Sequence, residues 1–308
     1  MTRRRVAVAV PTRGRPAWCA EAVASALGQD GVDVEVGVAL DGPQPETRAA
    51  LGALGDPRVR VVEHPPAGRS AARNAAVRAT TAPLVAFLDD DDVLLPGALA
   101  ARVAALDRHP HAVLVHGPAT ARRGARDDGG ARGVAEAAVG GARAAETCGD
   151  GLARQLSGRS PLPSTVLLRR EGFDRVGGFD EDLPTGEDWV FFLRLAGTGP
   201  FVTLAAPTVL YRRHGGQVRS DPAAQEAALA RWLARYFDDP RTPEHARAAR
   251  ARVEARHLAW IARNHRLAGD AAAARRCLRR AVALDARLLL HPRRFLRWLG
   301  VPLGGTRA

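Results

Sequence analysis

The sequence predicts an α/β fold: a doubly wound, mostly parallel sheet with helices on both faces, plus a C-terminal α-helical appendage. Three observations predict it. Short β-branched and apolar runs alternate with helical patterns through the first half of the chain. Strand patterns vanish from Pro222 onward, which divides the chain into residues 1–220 and 221–308. No stretch of 18 or more apolar residues occurs, so the 46% apolar content is core material and not a membrane span.

Each element follows from its local pattern. Residues 5–12 form a β-branched run that stops at a proline and read as a first buried strand. Residues 16–27 carry Trp18, Ala22, Val23, Ala26 and Leu27 at helical spacing. A second strand is expected over 32–40, a helix over 45–54, a short strand over 58–62, a helix over 68–79 and a strand over 84–88. Residues 96–107 read as a helix with Pro96 near its first turn, and 112–116 as another strand. Residues 117–150, rich in Gly, Ala and Arg, are expected to be a loop or weak helix. Regular structure resumes at 164–168. An amphipathic helix follows over 188–196 and one late strand over 202–210. Beyond Pro222, Trp232, Leu233, Tyr236, Leu258, Trp260, Ile261, Leu267 and Leu278 are candidate core positions. Ala268-Gly269-Asp270 breaks two helices, and the second half of this region looks like one tetratricopeptide-type hairpin.

Charge and cysteine usage narrow the function classes. The net charge is +12, and all 45 basic residues are Arg. A basic surface attracts phosphates, anionic lipid or nucleic acid. No nucleic-acid motif is present and aromatics are 5% of the chain, so no nucleic-acid partner is expected. Cys19, Cys148 and Cys277 show neither zinc spacing nor a disulfide framework and are expected to be reduced thiols. The basic start followed by the short run Val6–Val10 is not a signal peptide, so a cytoplasmic location is expected. The tail from His291 to Leu299 mixes Arg with large apolar residues. It is a candidate for peripheral contact with the inner face of an anionic membrane, or else an ordinary packed helix.

The chemistry concentrates at Asp89-Asp90-Asp91-Asp92, which follow the apolar run 83–88. Ligands of open α/β sheets bind past the carboxyl ends of the strands. Four neighbouring carboxylates repel one another, and a hard cation such as Mn²⁺ or Mg²⁺ relieves that cost while also holding a diphosphate. Pro11, Thr12 and Arg15 fall on the first loop and Asp41 on the second, at the ends of the first two strands. Arg69 and Arg73 open the third helix.

In their order these segments resemble family 2 glycosyltransferases of the GT-A fold, over roughly residues 4–216. The matching pieces are Val8–Pro16, with its Pro-Thr-x-x-Arg-Pro turn; Val38-Ala39-Leu40-Asp41-Gly42; Gly68–Ala76, with Ala-Arg-Asn; and Phe87–Asp92, with Asp-x-Asp. Gly177-Gly178-Phe179-Asp180-Glu181 and Gly186-Glu187-Asp188-Trp189 complete the set. The resemblance implies transfer of a sugar, with inversion, from a nucleoside-diphosphate sugar to a hydroxyl of a saccharide or lipid-linked acceptor. The implied setting is surface polysaccharide or glycolipid synthesis. It implies Asp91 as a direct metal ligand and Asp89 near ribose or a metal-bound water; Asp90 and Asp92 can orient the loop, or Asp92 can simply cap the following helix. It implies a nucleoside pocket at Pro11, Thr12, Arg15 and Asp41, with Arg69 and Arg73 meeting the base or diphosphate or one of them pairing with a core acid, and it implies Asp188 as the general base, with Glu187 orienting it or binding the acceptor. His214, in Tyr211-Arg212-Arg213-His214-Gly215-Gly216, is implied to reach the metal or diphosphate, with Arg212 adding charge and the two glycines forming a hinge. Pro163-Ser164-Thr165 falls where such enzymes line the acceptor pocket. Leu40 and Pro43 depart from the usual Asp-Asp-Gly-Ser pattern, which leaves the base open. The alternatives are a nucleotidyltransferase, against which the missing Lys of the first loop counts, and an inactive nucleotide-sugar-binding scaffold, against which the intact acids count.

Overall fold

The computed structural model describes residues 3–123, 146–213 and 221–290. The chain forms two compact units. The first comprises residues 1–151, 160–182 and 194–217; the second comprises 152–159, 183–193 and 218–308.

The first unit opens with β1 (Arg4–Thr12), α1 (Pro16–Leu27), β2 (Val32–Asp41), α2 (Pro45–Gly52), β3 (Val59–His64), α3 (Arg69–Arg78) and β4 (Leu84–Phe87). It continues through β5 (Val93–Leu94), α4 (Ala98–Arg108), β6 (Leu114–His116), β7 (Ala119–Arg123) and β8 (Glu146–Gly149). The helix α5 (Gly151–Leu156) follows. After a 3₁₀ turn over Pro163–Thr165 come β9 (Val166–Arg169), α6 (Arg170–Val176), α7 (Glu187–Ala196), β10 (Phe201–Leu204) and β11 (Val209–Arg213); of these elements α5 from Leu152 and α7 through Leu193 belong to the second unit. The eight-stranded sheet has the order β3-β2-β1-β4-β9-β6-β10-β8, and a three-stranded sheet has the order β5-β11-β7. β3, β2, β1 and β4 are parallel, as are β6 and β10; β9 runs antiparallel between β4 and β6, and β8 is an antiparallel edge.

Residue size explains how helices cover both faces. Along β1, Val6, Val8 and Val10 pack in a core with Val36 and Val38 of β2, Val23 and Ala26 of α1, and Leu99 and Leu106 of α4. The alternate positions are small: Ala7 and Ala9 on β1, Gly37 on β2. That face admits α3 at very short range, because a Cβ on Gly37 would stand 2.2 Å from the Ala76 carbonyl oxygen. Phe87 of β4 closes the same face against Phe179 at 5.1 Å between ring centres.

Several expectations change. Trp260 and Leu267, candidate core positions, are 44% and 57% exposed. The late strand over 202–210 is two strands, β10 and β11, in different sheets. Pro207, which has no N–H to donate, lies between them. Residues 117–150, expected as loop or weak helix, contribute β7 and β8. The helix expected from 96 starts at Ala98, with Gly97 as its N-cap at φ +74°. In the second unit, α8 (Pro222–Phe237), α9 (Glu244–Arg247), α10 (Arg250–Leu267) and α11 (Ala271–Leu284) are all helical as expected, and α10 and α11 pack as a hairpin. The bend sits at Gly269, φ +89°, and Asp270 caps α11 by accepting from Ala273 N at 2.9 Å.

Candidate active site

The parallel register places Thr12, Asp41 and Asp89 at one edge of the sheet, where β1, β2 and β4 end. β9 runs the other way, so the turn before it brings Ser164 to the same edge.

There each acid has its own set of neighbours. Asp90 is buried; it accepts from Thr12 Oγ1 at 2.7 Å and pairs with Arg15 at 3.1 Å. The same guanidinium bonds Asp91. Asp89 pairs with Arg73 at 2.8 Å, and its backbone N–H donates to Ser164 Oγ at 3.1 Å. Ser164 Oγ in turn donates to Asp92 Oδ2 at 2.6 Å. Asp92 is 2% exposed, and its Oδ1 is buried without a hydrogen-bond partner.

These surroundings set the charges. Burial pushes Asp92 up to about 8, with the Asp89 and Asp91 charges adding to the effect and Ser164 opposing it. Burial pushes Asp90 up to about 6 against the pull of Arg15 and Thr12. Burial also acts on Asp89, but Arg73 beside it, helped by Arg69 and Arg15, outweighs that and holds it below the usual carboxylate range.

Carboxylate oxygens of Asp89, Asp91 and Asp92 lie within 4.8 Å of one another. Hard oxygen donors, one of them buried without a partner, fit Mn²⁺ or Mg²⁺. Asp92 is therefore a member of the candidate metal group. It does not cap α4, which starts six residues later. His214, the other expected ligand, lies outside the described residues, as do Gly215 and Gly216.

The residues expected to border a nucleoside also gather at this edge. Pro11 and Thr12 are buried at the end of β1. Gln44, which the sequence reading passed over, ties the first loop to the second, donating to the Thr12 carbonyl at 2.9 Å and accepting from Gly14 N at 2.6 Å. Asp41 is buried; its Oδ1 accepts from Ala67 N and Gly68 N at 2.8 and 3.1 Å, and its Oδ2 faces Arg13 at 3.8 Å. Arg69 is exposed at the start of α3. Arg212 is directed to Glu21 and lies over the Trp18 ring, centroid distance 5.8 Å.

Two supports went unread in the sequence. Phe179 lies under the Arg73 guanidinium at 5.3 Å, and Asn74 locks the Phe179 backbone through bonds of 2.8 and 2.9 Å. The Ala-Arg-Asn and Gly-Gly-Phe-Asp-Glu motifs thus meet to hold the residue that holds Asp89. Arg102, fully buried, donates to the Ser164 carbonyl at 3.1 Å, the Val166 carbonyl at 3.3 Å and Thr208 Oγ1 at 2.7 Å.

Asp188 belongs to the second unit. It sits in the first turn of α7, and its Oδ1 accepts from Trp189 N at 2.8 Å. Trp189 is wedged against Trp232 and His257, at 6.1 and 4.4 Å between ring centres. Glu187, beside it, is buried.

A mostly parallel sheet covered by helices, with acids and arginines gathered past its strand ends, is the arrangement expected of the GT-A fold. The comparisons make the class specific. The family model "Glycosyl transferase family 2" matches residues 7–146. A 79-residue segment, 25% of this chain, is 42% identical to the succinoglycan biosynthesis protein ExoO of Rhizobium meliloti, and spans 23% of that relative's length. Among solved structures, S. aureus TarS 1–349 superposes with TM-score 0.63 at 16% identity, covering 95% of this chain and 87% of that one. The mannosyltransferase PcManGT from Pyrobaculum calidifontis, solved with GDP-Man and Mn²⁺, gives 0.59 at 20% identity, covering 98% and 81%. These two likenesses show the fold.

Proposed function

We propose that this chain is a metal-dependent inverting glycosyltransferase that moves a sugar from a nucleoside-diphosphate sugar to an acceptor hydroxyl. The observation that carries the reading is the Asp89, Asp91 and Asp92 carboxylate group at the sheet edge, ringed by Arg15, Arg69 and Arg73. A bound Mn²⁺ or Mg²⁺ supplies Lewis-acid stabilisation of the negative charge that grows on the departing diphosphate. Arg15, Arg69 and Arg73 add fixed positive charge for the same diphosphate. Pro11, Thr12 and Asp41 border the nucleoside, with Gln44 keeping the first two loops in register. PcManGT, whose solved complex contains GDP-Man and Mn²⁺, supports a nucleotide-sugar donor and a divalent ion. The likeness of one segment to a succinoglycan biosynthesis protein supports a part in polysaccharide synthesis, and we take the acceptor to be a saccharide or lipid-linked. We assign the base to Asp188 from its motif. An alcohol is far too weak an acid to lose its proton unaided at neutral pH, so a carboxylate must take it as the bond forms. Attack opposite the diphosphate then inverts the anomeric carbon.

A donor screen tests this. The purified chain with Mn²⁺ is given UDP-, GDP- and dTDP-sugars, and release of nucleoside diphosphate and donor-induced thermal shifts are followed. Release from one donor, lost with EDTA and in Asp91→Ala, is expected. Asp188→Asn is expected to keep the thermal shift and lose turnover by on the order of 10²–10⁴-fold. No metal-dependent shift with any donor would overturn the reading.

A further inference from the structure

Three helices of the second unit bring together side chains that no part of this reaction uses. Glu226 of α8, His265 of α10 and Cys277 of α11 each direct one ligand atom to a common point, the three atoms lying within 4.8 Å of one another. His265 is 5% exposed, and its Nε2 is buried with no hydrogen-bond partner. That nitrogen faces Glu226 Oε2 at 3.6 Å. The other ring nitrogen, Nδ1, faces the Asp270 carboxylate at 3.9 Å, and Asp270 is held in place as the cap of α11. Asp270 thus stands behind the imidazole, beyond hydrogen-bond reach, on the side from which carboxylates orient metal-bound histidines. Cys277 is fully buried, with its thiol beside the Glu226 carboxylate. A thiolate, an imidazole and a carboxylate form a borderline-soft donor set, which suits Zn²⁺ better than Mg²⁺ or Ca²⁺.

We propose that Glu226, His265 and Cys277 form a zinc site within the helical unit, with water as the fourth ligand. The Glu226 side borders a groove between Ala223, Ala227 and Ala230 of α8 and Arg276 and Arg280 of α11, through which ion and water enter. The two arginines oppose a further cation, reaching Glu226 at 3.4 and 3.3 Å. Arg276 shares Oε2, the oxygen that faces His265, and is 55% exposed, so the ion displaces it into solvent. Arg280 binds Oε1 and also reaches Glu254 at 3.4 Å, so it keeps a partner. Cys277 binds as thiolate, and its proton leaves to solvent as the metal–sulfur bond forms; the neutral imidazole and the Glu226 carboxylate supply lone pairs.

Sulfur makes the test selective, since the Asp89 group offers only oxygen. The full chain, stripped of metal, is titrated with Co²⁺ while the near-ultraviolet thiolate-to-cobalt band is recorded. We expect saturation at one equivalent, displacement by Zn²⁺ and an unchanged band in Cys148→Ser. We expect loss of the band in Cys277→Ser and affinity at least about tenfold weaker in His265→Gln and Glu226→Gln. Circular dichroism establishes that each variant is folded. If Cys277→Ser does not fold, the other two variants decide. No thiolate band at saturating Co²⁺, a band that survives Cys277→Ser, or wild-type affinity in both His265→Gln and Glu226→Gln overturns the proposal.

Discussion

At the scale of single residues, four identical side chains in a row do four different things. Thr12 and Arg15 hold Asp90, Arg73 holds Asp89, Arg15 also takes Asp91, and Ser164 holds Asp92. The Asp-x-Asp pattern was legible in the sequence. The individual roles were not, because they come from residues far away in the chain. Arg102 is the clearest case. A basic residue in a helix reads as surface, yet here its guanidinium is fully buried and solvates two carbonyls and a hydroxyl around Ser164. Burial lowers it to about 9, so it stays charged at neutral pH. Arg102→Met strips those buried acceptors of their donor. We expect a loss of about 2–3 kcal/mol of stability, read from urea unfolding midpoints. Wild-type stability would show that the buried charge costs as much as its bonds contribute.

Among elements, the close approach of α3 to the sheet and the aromatic cluster behind α7 each make a prediction. Gly37→Ala puts a methyl against the Ala76 carbonyl, backbone that cannot rotate away. We expect it to destabilise the fold by about 1–3 kcal/mol or to prevent folding, measured by thermal unfolding. In the second unit, His257 sits edge-on to Trp189 and Trp232, and its Nδ1 meets the Val253 carbonyl at 2.9 Å. Burial holds His257 down to about 4. The unfolded chain takes up this proton near pH 6.5 and the folded chain only near 4. Between those values the unfolded state binds more protons, so stability falls as pH falls through that window. The contribution is on the order of 3 kcal/mol. His257→Phe keeps a ring but cannot titrate. Its unfolding free energy is expected to fall less steeply than wild type between pH 6.5 and 4; parallel profiles would refute the assignment.

For the whole molecule, charge is the dominant property. With 45 arginines against 33 acids, the chain presents positive charge to anionic surfaces. Among the described residues no helix is long and apolar enough to cross a membrane. The expected contact is through the segment from His291 to Leu299, which lies outside the described residues. The full chain should float with anionic vesicles at low salt and not with zwitterionic ones. Replacing Arg293, Arg294 and Arg297 with Ser should remove about 1 kcal/mol of binding per charge. Equal flotation of the two chains would move the contact elsewhere.

The sequence by itself determined the alternation of strands and helices through residue 116, the helical end, and the acids past the fourth strand. These are local properties: runs, periods and breakers within a dozen residues. Tertiary structure decided whatever depends on pairing across the chain. β9 enters antiparallel between two parallel strands and carries Ser164 to the acids. The chain after β10 passes Pro207 and joins a second sheet. β8 forms in a segment with little local signal, because β10 offers it an edge. The meeting of Glu226, His265 and Cys277 is of the same kind. No motif spacing announces it, and only the packing of three helices brings a carboxylate, an imidazole and a thiol to one point.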